Sequence, residues 1–150
     1  MSQSLAKIIL HIVFSTKNRL NLIPKNILQE VHAYIASICR NKNSEAFRVG
    51  GTQNHIHIAC TLPRTLTVSQ LLEEIKTSSS KWIKNKDHLS SDFSWQAGYG
   101  VFSLGYSQLE TLIRYIDKQE EHHQQNNFQD ELTELLDRYD LKYDTKYLWD

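Results

Sequence analysis

The chain has few of the residues that staple, kink or loosen a fold: two cysteines, two prolines, five glycines and one methionine among 150 residues. Cys39 and Cys60 form no CxxC pair and read as buried free thiols of a cytosolic protein rather than a disulfide. No apolar run approaches the roughly twenty residues that a membrane helix needs. Met1 to Lys7 lack a basic region followed by an apolar stretch and a small-residue cleavage site, so no signal peptide is expected and the localisation expected is cytoplasmic. Internal repeats are absent, and Ser78-Ser79-Ser80 is the only biased run. Net charge is absent too, since 17 Lys and Arg balance 17 Asp and Glu. That zero hides an asymmetry: residues 1–118 carry +6 and residues 119–150 carry −6. A basic body with an acidic tail suits a nucleic-acid binder better than the flat total suggests, although a solvated acidic helix explains the tail alone equally well.

What is present suits one soluble domain over 1–150, 40% hydrophobic and 23% charged, with a C-terminal helical tail over about 127–150. Leu5 to Thr16 is almost continuously apolar or β-branched, as in a central strand. Pro24 suits a helix start, and Ile27, Val31, Tyr34 and Ile38 recur at helical spacing. Phe47 to Val49 and Ile56 to Leu62 read as two strands, with Gly50-Gly51 and Asn54 in the turn between them. Thr67 with Gln70, and Ser107 with Glu110, are capping boxes that open two further helices. A last strand falls within Phe93 to Leu104, polar Gln124 to Asn127 break the chain, and Phe128, Leu132, Leu135, Leu136 and Tyr139 mark a final amphipathic helix. Leu132 and Leu136 would meet a partner or fold back on their own protomer. The order predicts an α+β, ferredoxin-like (RRM-like) antiparallel sheet with two helices on one face and the other face open, plus the C-terminal helix.

The chemistry concentrates in His55-Ile56-His57. Strand side chains alternate, so the two imidazoles share a face about 6.5 Å apart while Ile56 and Ile58 point to the core. An isolated HxH is as readily a hydrogen-bonded structural pair, and His11, on one face of the first strand, reads as a satisfied core histidine. About sixty residues on, Tyr115, Gln119 and His122 recur at i, i+4 and i+7, a stripe opposite the apolar face Leu109, Leu112, Ile113 and Ile116. A phenol is a competent nucleophile towards phosphorus when its charge is stabilised. Two imidazoles and an amide oxygen make a three-ligand site with open positions for phosphate. His122 and His123 follow as metal ligands, proton carriers or a solvated helix end. Lys17, Arg19, Arg48 and Arg64 in loops, and Lys76, Lys81, Lys84 and Lys86 on the second helix, suit phosphate contact. Trp82 falls on that helix's apolar stripe.

Taken together, HIH followed by Tyr115-Ile-Asp-Lys-Gln119 resembles the single-tyrosine HUH transposases of the insertion sequence 200/605 family and their REP-associated relatives. The resemblance extends to His11 to Arg19, the glycines before HIH, the SSSKWI stretch, Trp95 to Phe102, the EEHH after the tyrosine and the closing YLWD. It implies an enzyme that binds single-stranded DNA hairpins and cuts one strand with Mg²⁺ or Mn²⁺. The products would be a 5′-phosphotyrosine and a free 3′-hydroxyl, and the strands would then be rejoined. By the same resemblance Tyr115 is the nucleophile, His55, His57 and Gln119 hold the metal, and the protein is a homodimer, often with active sites shared between subunits; the placement of Lys17, Arg19, Arg48, Arg64, Lys81 and Lys84 makes them the expected DNA contacts. The alternatives are a domesticated or non-catalytic nucleic-acid module of the same fold, and a metal-dependent hydrolase that uses water as nucleophile.

Overall fold

The computed structural model describes residues 2–86, 92–123 and 127–150. Four strands, β1 (Ile9–Ser15), β2 (Ala46–Thr52), β3 (His55–Thr61) and β4 (Gly100–Leu104), form one sheet in the order β2-β3-β1-β4. Every neighbouring pair is antiparallel. With α1 (Leu28–Asn41) and α2 (Val68–Lys86) between them, this is the expected ferredoxin-like order.

Alternation along the central strands divides their side chains between two cores. Leu10, Ile12 and Phe14 of β1 and Ile56, Ile58 and Cys60 of β3 pack under Val31 and Ile35 of α1 and Leu72 and Ile75 of α2. Trp82 stacks on Tyr34 with ring centroids 4.9 Å apart, a packing role in keeping with its place on the stripe. Both cysteines are buried and free. Thr67 and Gln70 exchange the two hydrogen bonds of a capping box, at 2.9 and 3.1 Å.

The second face of the sheet is not open. It is covered by α3 (Leu109–Asp117), the short α4 (Gln119–His122) and α5 (Phe128–Arg138). Leu109, Leu112 and Ile116 of α3 pack on Ile9 and Ala59, while Phe128, Leu132, Leu135 and Leu136 of α5 pack on Val13 and Phe102. Leu132 and Leu136 therefore fold back on their own protomer. Each such side chain contributes about 1.5–3 kcal/mol on burial, which is why an 11-residue helix stays docked. Beyond Arg138 the chain leaves the helix and runs through turns to Asp150, whose carbonyl accepts from the Gly98 amide at 2.9 Å. Of the predicted polar break at Gln124 to Asn127, residues 124–126 lie outside the described residues.

Two local expectations fail for identifiable reasons. The helix before the tyrosine opens one turn early: Tyr106–Gln108 is a 3-10 turn in which Gln108 Oε1 accepts from the Gly105 amide at 3.1 Å, so Ser107 and Glu110 do not form the box. Gly50 and Gly51 belong to β2, and the turn falls at Gln53-Asn54. A Cβ on Gly50 would stand 2.6 Å from Ile116 Cγ2 and 3.2 Å from the Ile116 carbonyl oxygen. Its glycine thus lets α3 settle against the sheet edge. Gly50→Ala is expected to cost about 1–3 kcal/mol by overpacking, read as a lowered urea midpoint with an unchanged slope.

Candidate active site

His55, at the start of β3, and His57 are fully buried beneath α4 and α5. His55 Nε2 lies 2.9 Å from Gln119 Oε1, and its Nδ1 lies 2.8 Å from Asn54 Oδ1. Burial, then the neighbouring His57 and His123, lower His55 to about 3, so the ring is neutral near pH 7. A neutral imidazole has one N–H. The Thr52 hydroxyl also lies 3.0 Å from Nδ1, so the ring can donate from Nε2 to Gln119 Oε1 while Nδ1 accepts from Thr52.

His57 Nε2 donates to Glu131 Oε1 at 2.8 Å, and its Nδ1 meets His11 Nε2 at 2.8 Å. The Glu131 carboxylate only accepts, so His57 Nε2 carries a proton, and the other ring nitrogen shares a hydrogen bond with His11. His11 is thus a satisfied buried histidine, as read, but its partner is the HIH pair itself. Burial, reinforced by His57, lowers it to about 3.

Tyr115 approaches the same centre. Its ring stands edge-on to His57 with centroids 5.6 Å apart, and its hydroxyl donates to Glu131 Oε2. Burial and the adjacent carboxylate push the phenol above its usual range. Burial alone would raise the Glu131 carboxyl, but the close approach of His123 and the hydrogen bonds from His57 and Tyr115 hold it far below the normal carboxylate range. Gln119 is buried, with its amide nitrogen 3.4 Å from Glu131 Oε2. His122 and His123 Nε2 lie 3.1 and 3.2 Å from that oxygen without making aligned hydrogen bonds.

Tyr115 and Gln119 are therefore not an exposed stripe opposite the apolar face. Leu112, Tyr115, Ile116 and Gln119 are themselves an i, i+3, i+4, i+7 set, all turned to the sheet. Glu131 is the residue that sequence reasoning missed. Its signal was present: among Phe128, Leu132, Leu135 and Leu136 it occupies an i+3 position on the buried arc of α5.

His55, His57, His123 and Glu131 each offer a ligand atom, all within 4.8 Å of one another, and could hold a metal ion. Imidazole nitrogens, a carboxylate and the Gln119 oxygen together make a mixed nitrogen and oxygen donor set of the kind that divalent metal ions take. A cleft of about 570 Å³ between α3 and α5 reaches the group from solvent, lined by His11, Tyr115, His122, Glu131 and Arg138.

The basic residues divide. Lys17 is exposed in the loop at the His55 end of the sheet. Arg19, in the same loop, donates to the Trp149 carbonyl at 3.3 Å and lies over that indole. Arg48 pairs with Asp117 at 3.2 Å. Lys81 and Lys84 line an open groove with Lys76 on the face of the sheet opposite the histidines. Arg64 follows the far end of β3, a strand's length from His55.

The family model described as "Transposase IS200 like" matches residues 4–119, well over half of the chain, and the chain belongs to that family of transposases. Its fold is shared with solved structures of low sequence identity. One is a candidate transposase from Deinococcus radiodurans (14% identity, TM-score 0.61, covering 79% of this chain and 98% of that one). Another is a REP-associated tyrosine transposase bound to a REP hairpin (18% identity, TM-score 0.59, covering 82% of this chain and 74% of that one). A search of curated proteins finds no match. Among the described residues, no helix is long and apolar enough to cross a membrane.

Proposed function

We propose that this transposase cuts and rejoins single-stranded DNA through a covalent bond to Tyr115, with Mg²⁺ or Mn²⁺ held by His55, His57 and Gln119 and further ligated by Glu131 or His123. The observation that supports it is convergence within one protomer: the Tyr115 hydroxyl, His57 Nε2 and the Gln119 amide nitrogen all reach one carboxylate, with His55 Nε2 3.9 Å from it and Gln119 Oε1 against His55. The phenolic oxygen forms the new bond to phosphorus and the P–O3′ bond breaks. A 5′-phosphotyrosine and a free 3′-hydroxyl result, and attack by a 3′-hydroxyl on the phosphotyrosine rejoins strands. A divalent cation bound there would polarise the phosphoryl oxygen and offset the carboxylate charge that keeps the phenol protonated. Glu131 is placed to take the phenol's proton.

The REP hairpin held by the structurally similar transposase favours a hairpin as the substrate. Lys17, Lys81, Lys84 and Arg64 are the exposed phosphate contacts in this reading, and Arg19 and Arg48 join them on leaving Trp149 and Asp117. The reading includes a homodimer, but Tyr115 already reaches its own protomer's histidines, so a dimer need not exchange the tyrosine helix. A cytoplasmic location belongs to the same reading.

The test is a pool of single-stranded hairpin oligonucleotides with randomised flanks, labelled at the 3′ end and incubated with Mn²⁺. A labelled, SDS-stable protein adduct is expected, and none in EDTA. Cleaved DNA without adduct would mark water as the nucleophile. Binding without cleavage would mark a non-catalytic module. A separate expectation concerns His11, whose hydrogen bond to Nδ1 fixes the His57 ring. His11→Ala should weaken Mn²⁺ binding about 10–100-fold, measured by calorimetry, with His11→Gln recovering part of the loss.

A further inference from the structure

We propose that Asn54 is a positioning residue that joins the Lys17–Arg19 loop to the His55 ring, so that single-stranded DNA held by the loop and a divalent ion held by His55 each tighten the other's binding. This rests on the single-strand, metal-assisted reading above and adds a regulation of the same site.

Asn54 stands half-buried in the turn between β2 and β3, next to His55. Its side chain reaches two ways. Nδ2 donates to the Arg19 carbonyl at 3.2 Å, and Oδ1 lies 2.8 Å from His55 Nδ1. The backbone makes the same connection: the Thr16 amide, just before the loop, donates to the Asn54 carbonyl at 2.9 Å. The loop is held in an unusual form, since Asn18 and Arg19 both have left-handed backbones, with φ of +56° and +57°. Residues other than glycine keep such a conformation only while their surroundings fix it. For Arg19 the fixtures are its amide, which donates to the Thr16 carbonyl at 3.0 Å, and its carbonyl, which accepts from Asn54.

The imidazole supplies the other half of the argument. With its proton on Nε2, His55 donates to Gln119 Oε1 at 2.9 Å and cannot ligate through that nitrogen. Ligation through Nε2 needs the proton on Nδ1, where Asn54 Oδ1 accepts it. The Thr52 hydroxyl, 3.0 Å from both atoms, then donates to Asn54 Oδ1. Only one orientation of the Asn54 amide serves this tautomer: N–H toward the Arg19 carbonyl, oxygen toward the ring. Turned over, the amide would set oxygen against oxygen at Arg19 and an N–H against Nδ1, which keeps the proton on Nε2. A loop fixed by phosphate on Lys17 and Arg19 therefore favours the ligating ring, and the ligating ring favours the fixed loop by the same factor.

The test uses Tyr115→Phe protein, which binds without cutting, and the hairpin pool described above. Mn²⁺ is titrated by calorimetry without DNA and with the pool at saturation, and the pool is titrated in EDTA. The parent is expected to bind Mn²⁺ about five- to tenfold more tightly with DNA than without it. Adding Asn54→Ala should weaken Mn²⁺ binding without DNA about tenfold and cut the gain from DNA below about twofold. Asn54→Asp keeps an acceptor for His55 but loses the donor to Arg19. It should bind Mn²⁺ without DNA at least as tightly as the parent, yet lose the gain, a split that general loosening of the fold does not give. An Asn54→Ala protein that keeps the full gain would mean that DNA phosphate ligates the ion with no help from the loop, and the role of Asn54 would be wrong. An unchanged gain in Asn54→Asp, or no gain in a parent that binds the pool, would overturn the linkage alone. Failure of every oligonucleotide to bind, with no adduct from the pool, would overturn the single-strand reading with it.

Discussion

Tyr115→Phe is expected to remove covalent DNA adduct and strand cleavage altogether while leaving DNA and Mn²⁺ affinity within about twofold, since one hydroxyl is lost and no ring contact changes. The packing supports that separation. The Tyr115 ring contacts His11, His57 and His122 edge-on, and only its hydroxyl engages Glu131. Phenylalanine keeps the ring in place and leaves Glu131 with its histidine partners. Stability should change little, because the carboxylate loses one of several donors. A Phe variant that still forms SDS-stable adduct would remove Tyr115 as the nucleophile and point to another side chain in the cleft. A Phe variant that loses DNA binding as well would mean that the phenol serves chiefly to hold the site together.

The sheet and its two backing helices were legible because their signals are local. Apolar runs at Ile9–Ser15 and His55–Thr61, the Thr67/Gln70 cap and helical spacing in α1 each specify an element without knowledge of the rest. The HIH pair was legible for the same reason, through strand alternation. What was not legible depends on distant packing. Whether the second sheet face is open depends on where α5 docks, and that is settled by Val13 and Phe102, residues far from it in sequence. The burial of Gln119 follows from the same docking. Glu131 reads as one more charge in an acidic tail until α5 is laid on the sheet, where it becomes the shared partner of Tyr115, His57 and His123. The Gly50-Gly51 pair looks like a turn because turns are the commonest use of such a pair. Its place in β2 is explained by the approach of Ile116 at Gly50 and, at Gly51, by a φ of +142° with the His55 carbonyl oxygen where a Cβ would stand.

Acid should destabilise the fold steeply between about pH 6.5 and 4. His11, His32 and His55 are lowered to about 3, 4 and 3, chiefly by burial, from an ordinary value near 6.5. Lowered folded-state values mean that the unfolded chain binds more protons throughout that window. Stability is therefore full above about pH 6.5 and falls with pH until the folded values are reached. Each histidine contributes a slope of up to about 1.4 kcal/mol per pH unit. Three acting together over two pH units approach the whole stability of an ordinary domain, about 5–15 kcal/mol. Glu131, held low by its partners, extends the loss to still lower pH. Urea unfolding followed by circular dichroism from pH 7 to 4.5, in EDTA, should show the midpoint falling continuously, and His11→Gln, with one titrating ring fewer, should lessen the fall by about a third. A midpoint that stays flat to pH 4.5 would mean that these rings gain protons in the folded protein, and so that α5 does not seal the histidines from water in solution.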